Sequence, residues 1–201
     1  LIELLTVITI IGILAGILIP TVSTVRYTAR QSKSLSQLRS VGQATWLYAG
    51  DNKQNFPTLW TNGVAPLWTH KLYSYLEPYA TGSGYWCSPT LLDPLLEGEK
   101  HNKDYGDYGA SNLIFMEANA LSSNAVKNPA HVAMVMTARS GNKVSYQVVA
   151  QGFINNPART DNMPHARAKG KVLAVMVDGH VQAIAESVFI EQRAAFLKPD
   201  L

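Results

Sequence analysis

The chain has 201 residues, 47% hydrophobic and 15% charged, where an average globular protein carries roughly 25% charged residues. That composition excludes an intrinsically disordered chain, and the net charge of +3 gives no basic surplus of the kind that marks nucleic-acid binding. The single cysteine, Cys87, excludes an intrachain disulfide and any CxxC motif, and reads as a small buried apolar residue.

The first segment is the most informative. Leu4 to Val25 is a run of 22 residues without a charge, mostly Leu, Ile and Val, and about 20 apolar residues in a helix span a bilayer core. The apolar core of a secretory signal is shorter, ~7–15 residues, and follows a basic start, whereas Glu3 precedes this one. A membrane-spanning segment is therefore expected. Glu3 sits at the edge of the run, where an unpaired charge in hydrocarbon costs at least ~2.5 kcal/mol. Gly12 and Gly16 form G-x-x-x-G, a spacing that lets helix backbones approach closely. Pro20 removes a backbone donor and is predicted to kink or locally open the helix. Together these features point to helix-to-helix assembly; the alternative is a plain anchor with Glu3 among the head groups.

The helical period continues beyond the apolar run. Arg26, Arg30, Lys33 and Gln37 fall on one polar stripe, and Leu35, Leu38, Val41, Thr45 and Tyr48 form an apolar one. Gly50, Asp51, Asn52 and Pro57 are the next breakers. One helix from about Ile2 to Ala49 is expected, ~70 Å long, apolar in residues 1–25 and amphipathic in residues 26–54.

LIELLTVITIIGILAGILIP followed by a basic amphipathic helix resembles the N-terminus of type IV pilins and type II secretion pseudopilins. That family has an LIE-type start, a glutamate near the mature N-terminus and a proline in the middle of a long helix, positions matched by Glu3 and Pro20. It also places an aromatic residue and a Thr before the LIE, so two residues are expected to precede Leu1. The resemblance implies leader cleavage by a prepilin peptidase, methylation of the new terminus, and pairing of Glu3 with a neighbouring subunit's amine in the filament core. A partner cation there would offset much of the cost of a carboxylate in lipid. The stretch between Gly12 and Pro20 resembles the part of the family helix that unwinds in filaments. Arg26, Arg30, Lys33 and Arg39 after the span would by themselves place that side in the cytoplasm; the resemblance places it outside.

Residues 55–201 read as one α+β head. Pro66 to Tyr79 carries Leu67, Trp68, Leu72, Tyr75 and Leu76 at helical spacing, and Pro78 ends it. Leu91 to Gly109 is turn-rich. Val132 to Met136 and Lys143 to Ala150 read as strands around a Ser140-Gly141-Asn142 turn. The clearest hairpin is Lys171 to Val177, the Asp178-Gly179 turn, and His180 to Ile184. Ser187 to Leu197 reads as a short closing helix. The order of PLWTHKLYSYLEPY, WCSP, DYGASN, NPAHVAMVM and H…VLAVMVDGHV extends the resemblance, more loosely, to a bacterial pilin-like subgroup ending in a histidine, an apolar strand and an Asp-Gly turn. Here His165 and Asp178 are separated by 12 residues, about three more than in that subgroup.

His165, Asp178 and His180 have the residue types for metal ligation or acid–base work, but Asp178 and Gly179 read first as a structural hairpin turn. Asp104 and Asp107, with Glu97 and Glu99 nearby, are weak candidates for a Ca²⁺ loop without EF-hand spacing. No HExxH, P-loop, GxSxG or dinucleotide motif is present, so no catalytic residue and no cofactor is assigned. The expected protein is α+β and pilin-like, with a small antiparallel sheet under the second half of the helix. Its expected role is that of a structural subunit of a type IV pilus-like filament. The expected partners are copies of itself, the inner membrane before assembly and an assembly machinery, and the assembled filament lies at the cell surface. A periplasmic pseudopilin of a type II secretion system, or a membrane-anchored binding module or enzyme, are the alternatives.

Overall fold

The computed structural model describes residues 2–60, 67–77, 87–96, 101–102, 104–116 and 120–200. Its first element, α1 (Ile2–Asp51), is a single helix of 50 residues, ~75 Å long at 1.5 Å per residue. Only the second half packs on anything. Ser34, Leu38, Val41, Gly42, Ala44, Thr45 and Ala49 are buried, and these recur at the three- and four-residue steps of one helix face. The Leu38–Val41–Thr45 part of the apolar stripe is thus the contact face, with Leu35 and Tyr48 packed at its edges.

The helix runs on through Pro20, so the local opening expected there is not present in the isolated chain. The hydroxyl of Thr21 donates to the Leu18 carbonyl (2.8 Å) and that of Ser23 to the Pro20 carbonyl (2.8 Å). Side chains around the proline therefore bond to backbone acceptors of the adjoining turns.

Among the described residues the head has seven strands: β1 (Tyr108–Ser111), β2 (Ala133–Ser140), β3 (Lys143–Val144), β4 (Gln147–Val148), β5 (Met163–Pro164), β6 (Lys171–Met176) and β7 (Val181–Ala185). Their order is β4-β1-β2-β6-β7, with β3 and β5 pairing alongside β2. β6 and β7 form the expected hairpin, with Val175 opposite Val181 and Gly179 at φ +90° in the turn, a backbone conformation that favours glycine. Gly141, at φ +58°, makes the β2–β3 turn in the same way.

The unbroken apolar run of β6 has a structural reason: it is covered on both faces. Leu173, Val175 and Val177 belong to the core under α1. Val172, Ala174 and Met176 alternate with them into a second core with Phe153, Phe189 and Phe196. That second core is closed by α4 (Ala150–Asn155), α5 (Glu186–Glu191) and α6 (Arg193–Leu197), so the head has helix, sheet and helix layers. Gly42 lets α1 lie close to the sheet: a Cβ there would sit 2.7 Å from Cγ2 of Val175. Three side-chain bonds fix the seam. Trp46 Nε1 donates to the Val177 carbonyl (2.6 Å), Ser34 and Tyr108 share a hydroxyl bond (2.9 Å), and Tyr108 donates to Gln37 (3.1 Å).

The structure corrects several expectations. The helix expected over residues 66–79 is two short ones, α2 (Trp68–Lys71) and α3 (Tyr73–Leu76), broken at Leu72; Pro66, Pro78 and Tyr79 lie outside the described residues. Lys143 to Ala150 is not one strand. β3 pairs with β2, β4 pairs parallel to β1, and Ala150 starts α4, so the sheet is mixed rather than antiparallel. The closing helix is two helices, broken at Gln192. β1 begins at the end of the segment read as turns and runs two residues past it: its residues, Tyr-Gly-Ala-Ser, show no strand period, and pairing with Val135, Met136 and Thr137 makes it a strand.

Candidate functional site

Three regions hold the residues singled out from the sequence. The first is the free half of α1. Every Leu, Ile and Val from Ile2 to Val25 is exposed, and this is a helix long and apolar enough to cross a membrane. Glu3 is exposed at its start. Gly12 and Gly16 leave an open strip on the helix, since a Cβ at either position would meet nothing within 4 Å. Such a strip admits another backbone at close range.

The second region is the β6–β7 turn. Asp178 Oδ1 accepts from the His180 backbone N–H (3.0 Å) and contacts its Nδ1 (2.6 Å). Asp178 thereby caps its own turn, an arrangement typical of aspartate in turns. His165 is not near it. His165 is tied to β2 at Thr137, its N–H donating to the Thr137 carbonyl (2.8 Å), while Val177 is tied to Val132, just before the start of β2. Five residues of extended chain, ~16 Å, separate Thr137 from Val132. The structure does not bring His165 and Asp178 together.

The third region, at the Thr137 end of the sheet, was only partly legible in the sequence. Asp93 and Asp107 are fully buried, and Arg167 is 6% exposed. Arg167 Nη1 donates to Asp93 Oδ2 (2.6 Å), and its Nη2 donates to the Ala138 carbonyl (3.0 Å). Asp107 Oδ2 accepts from the Asp93 N–H (2.9 Å) and meets His101 Nδ1 (2.5 Å), and its Oδ1 accepts from the Asn102 N–H (2.9 Å). Both Asp107 oxygens are therefore engaged inside the fold, which leaves little for a cation. Among the described residues no cluster of three or more His, Cys, Asp or Glu has metal-binding geometry; Glu97 and Glu99 lie outside those residues. Cys87 is buried beside this cluster, and burial followed by the Asp107 charge pushes its thiol up to about 12, so it is not a nucleophile at neutral pH.

Arg167 is the keystone of this cluster. Arg167→Met should lower stability by about 3–5 kcal/mol, because it leaves Asp93 buried without a counter-charge. Denaturant unfolding measures this; a loss within ~0.5 kcal/mol, the scale of a surface substitution, would contradict it.

His165 lines the same end of the head. Burial, then the charges of Arg167 and Arg139, push its imidazole down from 6.5 to about 4. The folded state therefore refuses a proton that the unfolded chain accepts between those values. The stability associated with neutral His165 is complete above the unfolded value and is lost as pH falls toward about 4. Wild-type protein should lose more stability than His165→Gln between pH 6.5 and 4. The half-exposed site limits the difference to about 1–2 kcal/mol, and parallel pH profiles would contradict it.

No protein-family model, curated protein or solved structure matches the chain.

Proposed function

We propose that the chain is a pilin-like structural subunit that assembles through α1 into a filament. The observation that carries this reading is the division of α1. One half is bound to the head by Leu38, Val41 and the Trp46 indole, and the other half exposes every Leu, Ile and Val that it carries. An apolar helix projecting from a folded head is stable only in a bilayer or against other apolar helices. Glu3 and the Gly12–Gly16 strip favour packing against helices: the acid needs a cationic partner in that setting, and the strip needs a close neighbour. In this reading the bilayer holds the subunit before assembly and the bundle of copies replaces it afterwards. The continuous helix at Pro20 is the unassembled form, and the stretch from Gly12 to Pro20 is where it would open.

Negative-stain imaging of sheared surface material from the producing cell tests the proposal, with the chain followed by mass spectrometry. Filaments in which this chain is the abundant component are the expected result. Recovery of the chain only from membranes, as a monomer in mild detergent, would overturn it.

A further inference from the structure

We infer that the cleft beside Arg139 binds a small hydroxylated carboxylate, of the class of the sugar acids. The cleft measures about 990 Å³, at the upper end of small-molecule sites and larger than a bare inorganic anion needs. It is lined by Arg139, Lys143 and Arg167 among others, and these cations are not equally satisfied. Arg167 is held by the Asp93 carboxylate, although its Nε too is buried without an acceptor. Arg139, near the end of β2, has no ion pair among the described residues, and its Nε is buried without an acceptor. A guanidinium partly removed from water and left without a counter-charge is unfavourable, and an anion facing it offsets that cost.

His165 reports the same field. It lines the cleft with Arg139, and burial first, then the two nearby guanidinium groups, lower its proton affinity. The local charge facing the cleft from β2 and from the His165–Arg167 segment is thus positive. The planar fork of Arg139 suits a carboxylate. The other walls suit hydroxyl groups. The amides of Asn102 and Asn142 and the carboxylate of Asp104 also line the cleft, supplying donors and acceptors that a bare polyanion would not use. Asp104 would repel such a polyanion.

The test uses the full chain in micelles of a neutral detergent, titrated calorimetrically with D-glucuronate, D-glucose and inorganic phosphate. Glucuronate is expected to bind and to raise the melting temperature, and the other two to bind about tenfold or more weakly. Arg139→Gln is expected to weaken glucuronate binding by about tenfold or more and to remove its effect on melting. The melting temperature of this variant without ligand should not fall, since no protein partner of Arg139 is lost. Absence of glucuronate binding in the millimolar range, equal binding by Arg139→Gln, or tighter binding of phosphate would each overturn the inference. Should Arg139→Gln not fold, the His165 ring resonances of the wild-type chain decide: they should shift on titration with glucuronate and not with glucose, and no shift would overturn it.

Discussion

Glu3→Ala should abolish filaments while leaving the head folded and the chain in the membrane. Glu3 lies ~46 Å along α1 from Ser34, the first helix residue buried against the head, so removing its carboxylate cannot reach the core. Insertion of the apolar run should be unchanged or slightly favoured, since a charge at its edge is lost. Assembly is different. If a neighbour's cation meets Glu3 inside a bundle of apolar helices, removal of the acid leaves that cation unpaired at low dielectric, a cost of about 3–5 kcal/mol per subunit. Repeated at every subunit, that cost prevents growth. Glu3→Gln, which keeps the size and loses the charge, should fail in the same way. Imaging of sheared material and a thermal melt of each variant separate assembly from folding. Normal filaments from Glu3→Ala would overturn the role given to this residue.

The second large effect concerns the bound half of α1. A chain beginning at Ser32 should be soluble, folded and monomeric, because it loses the exposed apolar run and keeps the contact face. A chain beginning at Phe56 should lose the fold or melt far lower. It lacks Leu38 and Val41, both fully buried, each contributing ~1.5–3 kcal/mol. It also lacks Ser34 and Gln37, and so both side-chain bonds of the Tyr108 hydroxyl, each a net ~0.5–1.5 kcal/mol once water replaces the partner. These losses together compare with the entire ~5–15 kcal/mol stability of a typical domain. Equal melting temperatures for the two chains would show that α1 does not pack on the head.

Local patterning was enough to read some elements from the residues alone. The long helix, its apolar first half and the Leu38–Val41–Thr45 face all follow from composition and a 3.6-residue period, properties written in neighbouring residues. The same holds for the hairpin around Asp178 and Gly179, where a turn signal joins two apolar runs. The buried state of Cys87 follows from its residue type. Glu3, Gly12, Gly16 and Pro20 stand out because each breaks an otherwise uniform apolar pattern.

Only the tertiary structure decided the rest. β1 and β4 are too short to carry a period of their own: β1 exists because it pairs with β2, and β4 because it adds to the free edge of β1. The break of the expected helix at Leu72 follows no proline or glycine. Arg167 meets Asp93 across 74 residues of sequence, and no spacing rule joins an acid in one turn to an arginine beyond a different strand. The cleft at Arg139 was missed for the same reason, since its walls come from separate segments. His165 and Asp178, close in sequence, lie at opposite ends of the sheet because β6 runs between them as an extended strand. Backbone propensity acts over a few residues; charge pairing, strand exchange and cleft formation act between segments that only the folded chain brings together.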